Sequence, residues 1–170
     1  VVSLLFRFSP DLPVQENGIN TINNVGDNVD NPFAIATEAI NETKTDQYRA
    51  NLYAEYDIIE NLSFKTTFGL STRNRTAGIF RPSTLEVTAG GSTGGSASIA
   101  NLKNTNFLSE NYLTYTSEVG KGALTLLAGY SYQSNTNERF SAGAQGFTSN
   151  SFSYRALQTG STQLIPTSSF

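Results

Sequence analysis

The stretch QYRANLYAEYDIIENLSFKTTFGL, residues 47–70, decides the fold class, because apolar and polar residues alternate along it with a period of two. Such alternation is typical of β-strands, in which successive side chains point to opposite faces. It predicts one strand over residues 47–58 and, after a short break at residues 59–61, a second strand beginning at Leu62. The positions of the apolar face are Tyr48, Ala50, Leu52, Ala54, Tyr56, Ile58, Leu62, Phe64, Thr66, Phe68 and Leu70.

One register accommodates both of these strands. If Ile58 pairs with Leu62, all even-numbered residues of the two strands share one face, and Glu55 lies opposite Lys65 on the other. The sequence therefore predicts an antiparallel hairpin with one apolar face and one polar face.

A second hairpin is predicted from about Phe107 to Ser134. Its turn is Gly120-Lys121, where glycine at the first central position suits a two-residue type II′ turn. Pairing Val119 with Gly122 then brings apolar residues together on one face. The resulting pairs are Leu113 with Ala128, Tyr115 with Leu126, and Ser117 with Leu124, and the same face continues to Tyr130 and Tyr132.

The connections between predicted strands are very unequal in length. Both turns are tight, whereas Ser9 to Lys44, Thr72 to Thr105 and the tail beyond about Asn135 read as long loops rich in Asn, Gly, Ser and Thr. Strands of about 13 residues, tilted near 40°, rise about 30 Å, enough to cross a bilayer. We therefore expect an all-β fold: an incomplete, antiparallel, up-and-down transmembrane β-barrel segment with about five long strands, two tight turns and long extracellular loops.

Composition excludes several classes of function. Hydrophobic residues make up 38% of the chain, and no window approaches the roughly 20 apolar residues of a membrane-spanning helix. A net charge of −3 with scattered basic residues gives no footprint for nucleic acid. With neither His nor Cys, the chain lacks the commonest general base, thiol nucleophiles and thiolate metal ligands.

No catalytic or cofactor-binding residue is predicted, and we expect the protein not to be an enzyme. Glu55 and Asp57 share a strand face, but near a tight turn they read as solvated charges of a polar barrel interior. The segment Gly90 to Gly95 resembles a phosphate-binding loop only superficially, since no Lys-Ser or Lys-Thr follows it. We expect a flexible loop there. Most aromatic residues fall on the apolar face, as in an interfacial belt, with Tyr53 as the exception.

Calcium binding stays an open alternative for one loop. The run Asp27-Asn28-Val29-Asp30-Asn31 could offer oxygens to calcium, which prefers several carboxylates and carbonyls. Its spacing does not match an EF-hand, and Asx residues before Pro32 are equally expected from turn chemistry. No metal site is therefore assigned, and whether Asp27 and Asp30 bind calcium is left open.

Four strings of the sequence are informative together. They are SPDLPVQENG at residues 9–18, NPFAIATEAIN at 31–41, YRANLYAEYDIIENLSFKTTFG at 48–69 and NFLSENYLTYTSEVGKGALTLLAGYSYQ at 106–133. Their order and spacing resemble the barrel domain of SusC/RagA-type TonB-dependent receptors of the Bacteroidota. The resemblance covers about residues 8 to 133.

This resemblance implies an outer-membrane transporter of a Gram-negative bacterium, with a barrel of about 22 strands. Residues 1–170 would be part of the barrel domain, without the plug domain, and therefore a piece of a longer receptor. The implied partners are a SusD-like surface lipoprotein, TonB acting through the plug, outer-membrane lipid, and an oligosaccharide or peptide ligand. No cofactor and no nucleic acid are implied.

Two alternatives remain at the level of sequence. One is a small self-contained outer-membrane barrel or adhesin, which would need eight strands. The other is a soluble β-sandwich, such as a carbohydrate-binding module. The sandwich requires a second sheet over the even-numbered face of residues 48–70, so the exposure of that face discriminates between the readings.

Overall fold

The computed structural model describes residues 6–21, 29–85 and 94–170, and most of these residues lie in β-strands. The elements are β1 (Gln15–Glu16), β2 (Ile19–Asn20), α1 (Pro32–Glu38), β3 (Ile40–Ile59), β4 (Leu62–Arg81), β5 (Ser96–Val119), β6 (Gly122–Phe147), a 3-10 helix (Asn150–Thr159), β7 (Gly160–Gln163) and β8 (Thr167–Ser169). Within the described residues, no helix is long and apolar enough to span a membrane.

Six strands form one sheet, whose order follows the chain as β3-β4-β5-β6-β7, while β8 also pairs with β6. β7 runs antiparallel to β6, with Ala144 opposite Gln163. β1 and β2 form a separate two-stranded hairpin. The sequential order is that of the predicted up-and-down meander. Four of its strands are long, one fewer than the approximately five expected, because β7 has only four residues.

Both predicted turns are present. β3 ends at Ile59 and β4 begins at Leu62, so Glu60 and Asn61 alone form the first turn. Gly120 and Lys121 form the second, and Gly120 has a φ of 64°. That conformation is disfavoured for side chains with a Cβ, which explains why glycine stands at this position.

The long strands extend well beyond their predicted ends, and much of what alternation assigned to loops is therefore strand. β4 continues past Thr72 to Arg81, β5 begins at Ser96, and β6 runs to Phe147. Polar side chains pair across these extensions, as where Asn101 Nδ2 donates to Thr76 Oγ1 at 3.1 Å. Cross-strand polar pairs stabilise a sheet without apolar alternation, so the hydrophobic pattern could not reveal them.

The predicted loop before β3 also contains regular structure. Asn31, only 3% exposed, accepts from the Phe33 amide at the start of α1, and its Nδ2 donates to the carbonyl oxygen of Val14 at 2.6 Å. Pro32 occupies the first turn of the helix, where its missing N–H leaves no bond unmade. One side chain thus caps α1 and attaches it to the segment before β1.

The chain divides into two compact units. The first comprises residues 1–44, 76–101 and 139–168, and the second comprises residues 45–75, 102–138 and 169–170. The core of the first unit consists of Phe80, Ala97, Ala144 and Phe147. The rings of Phe80 and Phe147 meet edge to face, with centroids 5.7 Å apart.

The 3-10 helix packs against this core through Tyr154 and Leu157. Tyr154 donates its hydroxyl to Glu42 Oε2 at 2.5 Å, and Arg155 pairs with the same oxygen at 3.5 Å. The aromatic ring lies over Gly78, where a Cβ would stand 2.3 Å from Tyr154 Cε2. Glycine at position 78 therefore provides the space in which this ring packs.

Candidate functional site

The second unit presents two chemically different faces, and side-chain contacts show which residues share each face. A Cβ at Gly69 would lie 3.1 Å from Asn51 Oδ1 and 3.6 Å from Leu108 Cβ. Lys65 Nζ lies 6.0 Å from the centroid of the Tyr53 ring. Odd-numbered residues of β3 and β4 therefore share one face with even-numbered residues of β5, as the predicted parity requires. We call this the polar face.

The polar face carries a closed ring of four asparagine amides on β5 and β6. Asn104 donates to Asn137 at 2.5 Å and to Asn135 at 3.3 Å, and Asn137 donates to Asn135 at 2.9 Å. Asn135 donates to Asn106 at 2.5 Å, and Asn106 donates back to Asn104 at 2.6 Å. Each primary amide has two N–H donors and one oxygen. Asn106, Asn135 and Asn137 each retain an N–H for another partner.

A shallow cavity of about 220 Å³ adjoins this ring. Its polar-face lining consists of Arg49, Asn51, Gly69, Ser71, Asn106, Leu108 and Gln133. The missing side chain of Gly69 leaves the hollow, and Leu108 supplies an apolar contact beside the amides. The cavity is smaller than the roughly 300–1,000 Å³ of pockets for drug-sized ligands, and fits a single ring or side chain of a larger ligand.

Three arginines extend the polar face along β3 and β4: Arg49, Arg73 and Arg75. All three are exposed. In the amide orientation that satisfies both groups, Gln47 Oε1 accepts from two nitrogens of Arg49 at 2.9 Å. Gln47 is neutral, so the charge of Arg49 stays uncompensated. Among the described residues, Arg73 and Arg75 have no acidic partner.

The opposite face of the second unit is apolar and uncovered. Tyr48, Leu52 and Tyr56 on β3 are each about 70% exposed, at 71%, 70% and 68%. The same face continues on the other strands through Phe68, Leu70, Leu113, Tyr115, Leu124, Leu126, Tyr130 and Tyr132. Within the described part of the chain, no second sheet covers these side chains. A soluble protein rarely exposes so large a contiguous apolar surface.

This apolar band has a sharp upper limit. Lys103 and Glu138 form an ion pair at 3.3 Å on the same face, four residues and two same-face positions beyond Phe107 in the direction away from the turns. From Phe107 to Val119 the strand covers about 40 Å, or about 30 Å of height at a tilt near 40°. The height corresponds to the hydrocarbon core of a bilayer, which is about 30 Å thick. A polar cluster interrupts the band, where Thr66 Oγ1 donates to Asn111 Oδ1 at 2.8 Å and Asn111 Nδ2 donates to Ser109 Oγ at 3.4 Å.

The candidates named from sequence are placed as follows. Glu55 and Asp57 are exposed at the end of β3 beside its turn. Asp27 lies outside the described residues, and Asp30 is buried. Among the described residues, no group of three or more Asp, Glu, His or Cys could hold a metal ion. The structure thus brings no calcium-binding group together in the part it describes.

The glycine-rich segment lies partly outside the described residues, which include only Gly94 and Gly95 of it. Their carbonyl oxygens accept from the backbone amides of Phe147 and Gly146, at 3.0 and 3.1 Å. Both have positive φ, and a Cβ at Gly95 would stand 2.8 Å from the Arg81 carbonyl oxygen. These two glycines are therefore needed for close backbone packing against β6, rather than for flexibility.

Sequence reasoning missed the asparagine ring and the three arginines. The available signal was repetition at a spacing of two, with Asn104 and Asn106 on one strand and Asn135 and Asn137 on the next. The sequence analysis assigned both segments to loops or strand ends, where a spacing of two does not place residues on one face. The structure shows that both segments belong to the long strands β5 and β6.

Long antiparallel strands in sequential order, with one uncovered apolar face of bilayer height and one polar face, define the class: a transmembrane β-barrel-type sheet. Comparison with known proteins narrows it. No family model matches the chain. The TonB-dependent receptor P3 of Formosa agariphila is 48% identical over 169 residues, which is 99% of this chain and 17% of that receptor.

Solved structures share the fold. The RagAB peptide transporter matches with a TM-score of 0.70 at 18% identity, over 82% of this chain and 15% of that one. The RagAB peptide importer in its closed-closed state matches with the same TM-score at 20% identity, over the same shares. The chain belongs to the TonB-dependent receptors, it shares its fold with the RagAB structures, and it spans about a sixth of the length of the relative it matches.

Proposed function

We propose that these residues form part of the barrel wall of an outer-membrane TonB-dependent nutrient transporter. The observation that carries the proposal is the uncovered apolar face of the second unit, which spans about 30 Å and ends at the Lys103–Glu138 ion pair. Lipid would cover this face, and the polar face would line the interior. Residues 1–170 would all belong to the barrel domain.

The transported ligand is proposed to be an oligosaccharide or a peptide. A SusD-like surface lipoprotein would cap the barrel on the outside, and TonB would drive import through a plug domain. Support comes from membership of the TonB-dependent receptors, from the fold shared with the RagAB structures, and from the polar lining of asparagines and arginines, which can bind hydrophilic solutes. The role of the barrel wall is to bind and position the ligand, so no residue of this chain is assigned a catalytic role.

The test is expression of the complete gene in a Gram-negative host, followed by membrane fractionation and gel migration with and without boiling. We expect a heat-modifiable product in the outer-membrane fraction. A product found only in the soluble fraction, with cooperative unfolding in the absence of detergent, would overturn the proposal in favour of a soluble β-sheet module.

A further inference from the structure

The charges of the second unit are segregated between its two faces, and this separation points to the chemistry of a ligand. At the far end of the strands from the turns, the polar face carries Arg49 on β3 and, at two successive positions of β4, Arg73 and Arg75. The carboxylates at this height, Asp46 and Glu138, have the opposite parity and lie on the other face, where Glu138 pairs with Lys103. The polar face is thus locally cationic.

Carboxylates reappear on the polar face only nearer to the turns. Along β5 the first is Glu110, which accepts from the hydroxyl of Tyr112 at 3.3 Å. It follows Asn106 by four residues, or about 13 Å of strand. By the same geometry, Arg73 and Arg75 are about 6.6 Å apart along β4. The spacing between Arg73 and Arg75 is therefore about half the distance that separates Asn106 from Glu110, the nearest described acid on the polar face of β5.

The asparagine ring lies beside the arginines, because β5 neighbours β4 in the sheet. Its four amides are held by one another at 2.5–3.3 Å, so they form a fixed array of donors and acceptors. Hydroxyl groups both donate and accept, so the hydroxyls of a sugar are chemically complementary to the amides of this ring. A peptide backbone offers one donor and one acceptor per residue, at wider spacing, and matches it less well.

We infer that Arg49, Arg73 and Arg75, with the asparagine ring of Asn104, Asn106, Asn135 and Asn137, bind an acidic oligosaccharide, one that carries carboxylate or sulfate groups. We call this set the arginine–asparagine surface. The guanidinium groups bind the anionic substituents, since their planar N–H pairs match two oxygens at once. The amides bind hydroxyls, and the cavity beside Leu108 and Gly69 accommodates one sugar ring. The inference rests on the proposed transport function and specifies its substrate class.

The experiment uses the complete receptor purified in detergent and measures binding by calorimetry. The probes are a uronic-acid tetrasaccharide, its neutral methyl ester, a sulfated galactan tetrasaccharide, a neutral glucan tetrasaccharide and a tetraglutamate peptide. We expect one or both anionic sugars to bind at least tenfold more tightly than their neutral counterparts, and their binding to weaken as salt is raised. The two anionic sugars distinguish carboxylate from sulfate.

Three variants test the residues themselves, and a fourth is the control. Arg73→Gln and Arg75→Gln should each weaken binding of the anionic sugar about tenfold, since each removes a charge-assisted hydrogen bond. Lys103→Gln removes a cation at the same height on the opposite face and should leave binding unchanged. Asn137→Ala should weaken anionic and neutral sugars alike, because the amides bind hydroxyls in both.

Each outcome decides the inference. Equal binding of neutral and anionic sugars, preference for tetraglutamate, or equal effects of Arg73→Gln and Lys103→Gln would overturn it. A receptor that reaches the outer membrane and is heat-modifiable, yet shows no such preference, would leave the transport proposal intact. Arginine variants that lose heat-modifiable migration would show a structural role, and would overturn the inference if their neutral-sugar binding fell equally.

Discussion

At the residue scale, the parity of a side chain decides its surroundings, and Leu113 and Thr114 test this directly. Leu113 belongs to the apolar face at mid-height of the band, whereas Thr114 belongs to the polar face. Leu113→Arg should destabilise the barrel by about 2–4 kcal/mol, because it places a charge in hydrocarbon. Thr114→Arg should cost about 0.5 kcal/mol or less.

The measurement is equilibrium unfolding in denaturant of the complete receptor in lipid vesicles. Both variants add the same side chain at neighbouring positions, so length and overall charge are matched. Equal losses of stability would mean that neither face contacts lipid, and the assignment of the band would fail.

Gly78 tests a second property at this scale, the space left for an aromatic ring. Since a Cβ at position 78 would stand 2.3 Å from the Tyr154 ring, Gly78→Ala should displace the 3-10 helix, at a cost of about 1–3 kcal/mol. Hydrogen exchange of residues 150–159 should rise. In the double variant with Tyr154→Ala, the alanine at position 78 should have little additional effect. An additive loss in the double variant would contradict the steric explanation.

At the scale of elements, the turn between β5 and β6 depends on the conformation of one glycine. Gly120 has a φ of 64°, and nothing lies within 4 Å of the position of a Cβ, so any cost of Gly120→Ala is conformational. We expect it to be about 1–2 kcal/mol. Gly122→Ala is the matched control, because a Cβ there would make only ordinary contact, 3.8 Å from the Val119 carbonyl oxygen.

Denaturant midpoints of the two glycine variants in vesicles provide the comparison. Gly120→Ala should unfold at lower denaturant than Gly122→Ala. The reverse order would show that the turn tolerates a side chain at its first central position and is not of the primed type.

The elements also show where sequence reasoning works and where it ends. Between Tyr48 and Leu70 the apolar residues other than Tyr53 and Ile59 share one face, so alternation predicted strand, parity and turn together. Beyond the Lys103–Glu138 pair, in the direction away from the turns, neither face has to be apolar. Strands rich in Asn, Thr and Ser therefore show no alternation of apolar and polar residues there. The 3-10 helix was not predicted for a different reason: its position depends on contacts with Gly78 and Glu42, which are far away in sequence.

At the scale of the whole molecule, the proposed function and ligand depend on the separation of the two faces. The apolar face was predictable because apolar side chains recur at every second position over most of its height. The arginine–asparagine surface was not, because a polar interior accepts many residue types and its pattern is set by a ligand. Only continuity of β5 and β6 showed that Asn104 and Asn137 meet.

Successive side chains of β5 point to opposite faces, and this has a consequence for how such genes can change. Losing a single codon within the strand would transfer every residue on one side of the deletion to the opposite face. Depending on the position of the deletion, Leu113 and Tyr115 would then point to water, or Glu110 and Tyr112 would point to lipid. Losing two codons would keep the faces and only shorten the wall. Among descendants of one ancestral gene, length differences inside these strands should therefore come in even numbers of residues, while the turns and connecting segments drift in length without that constraint.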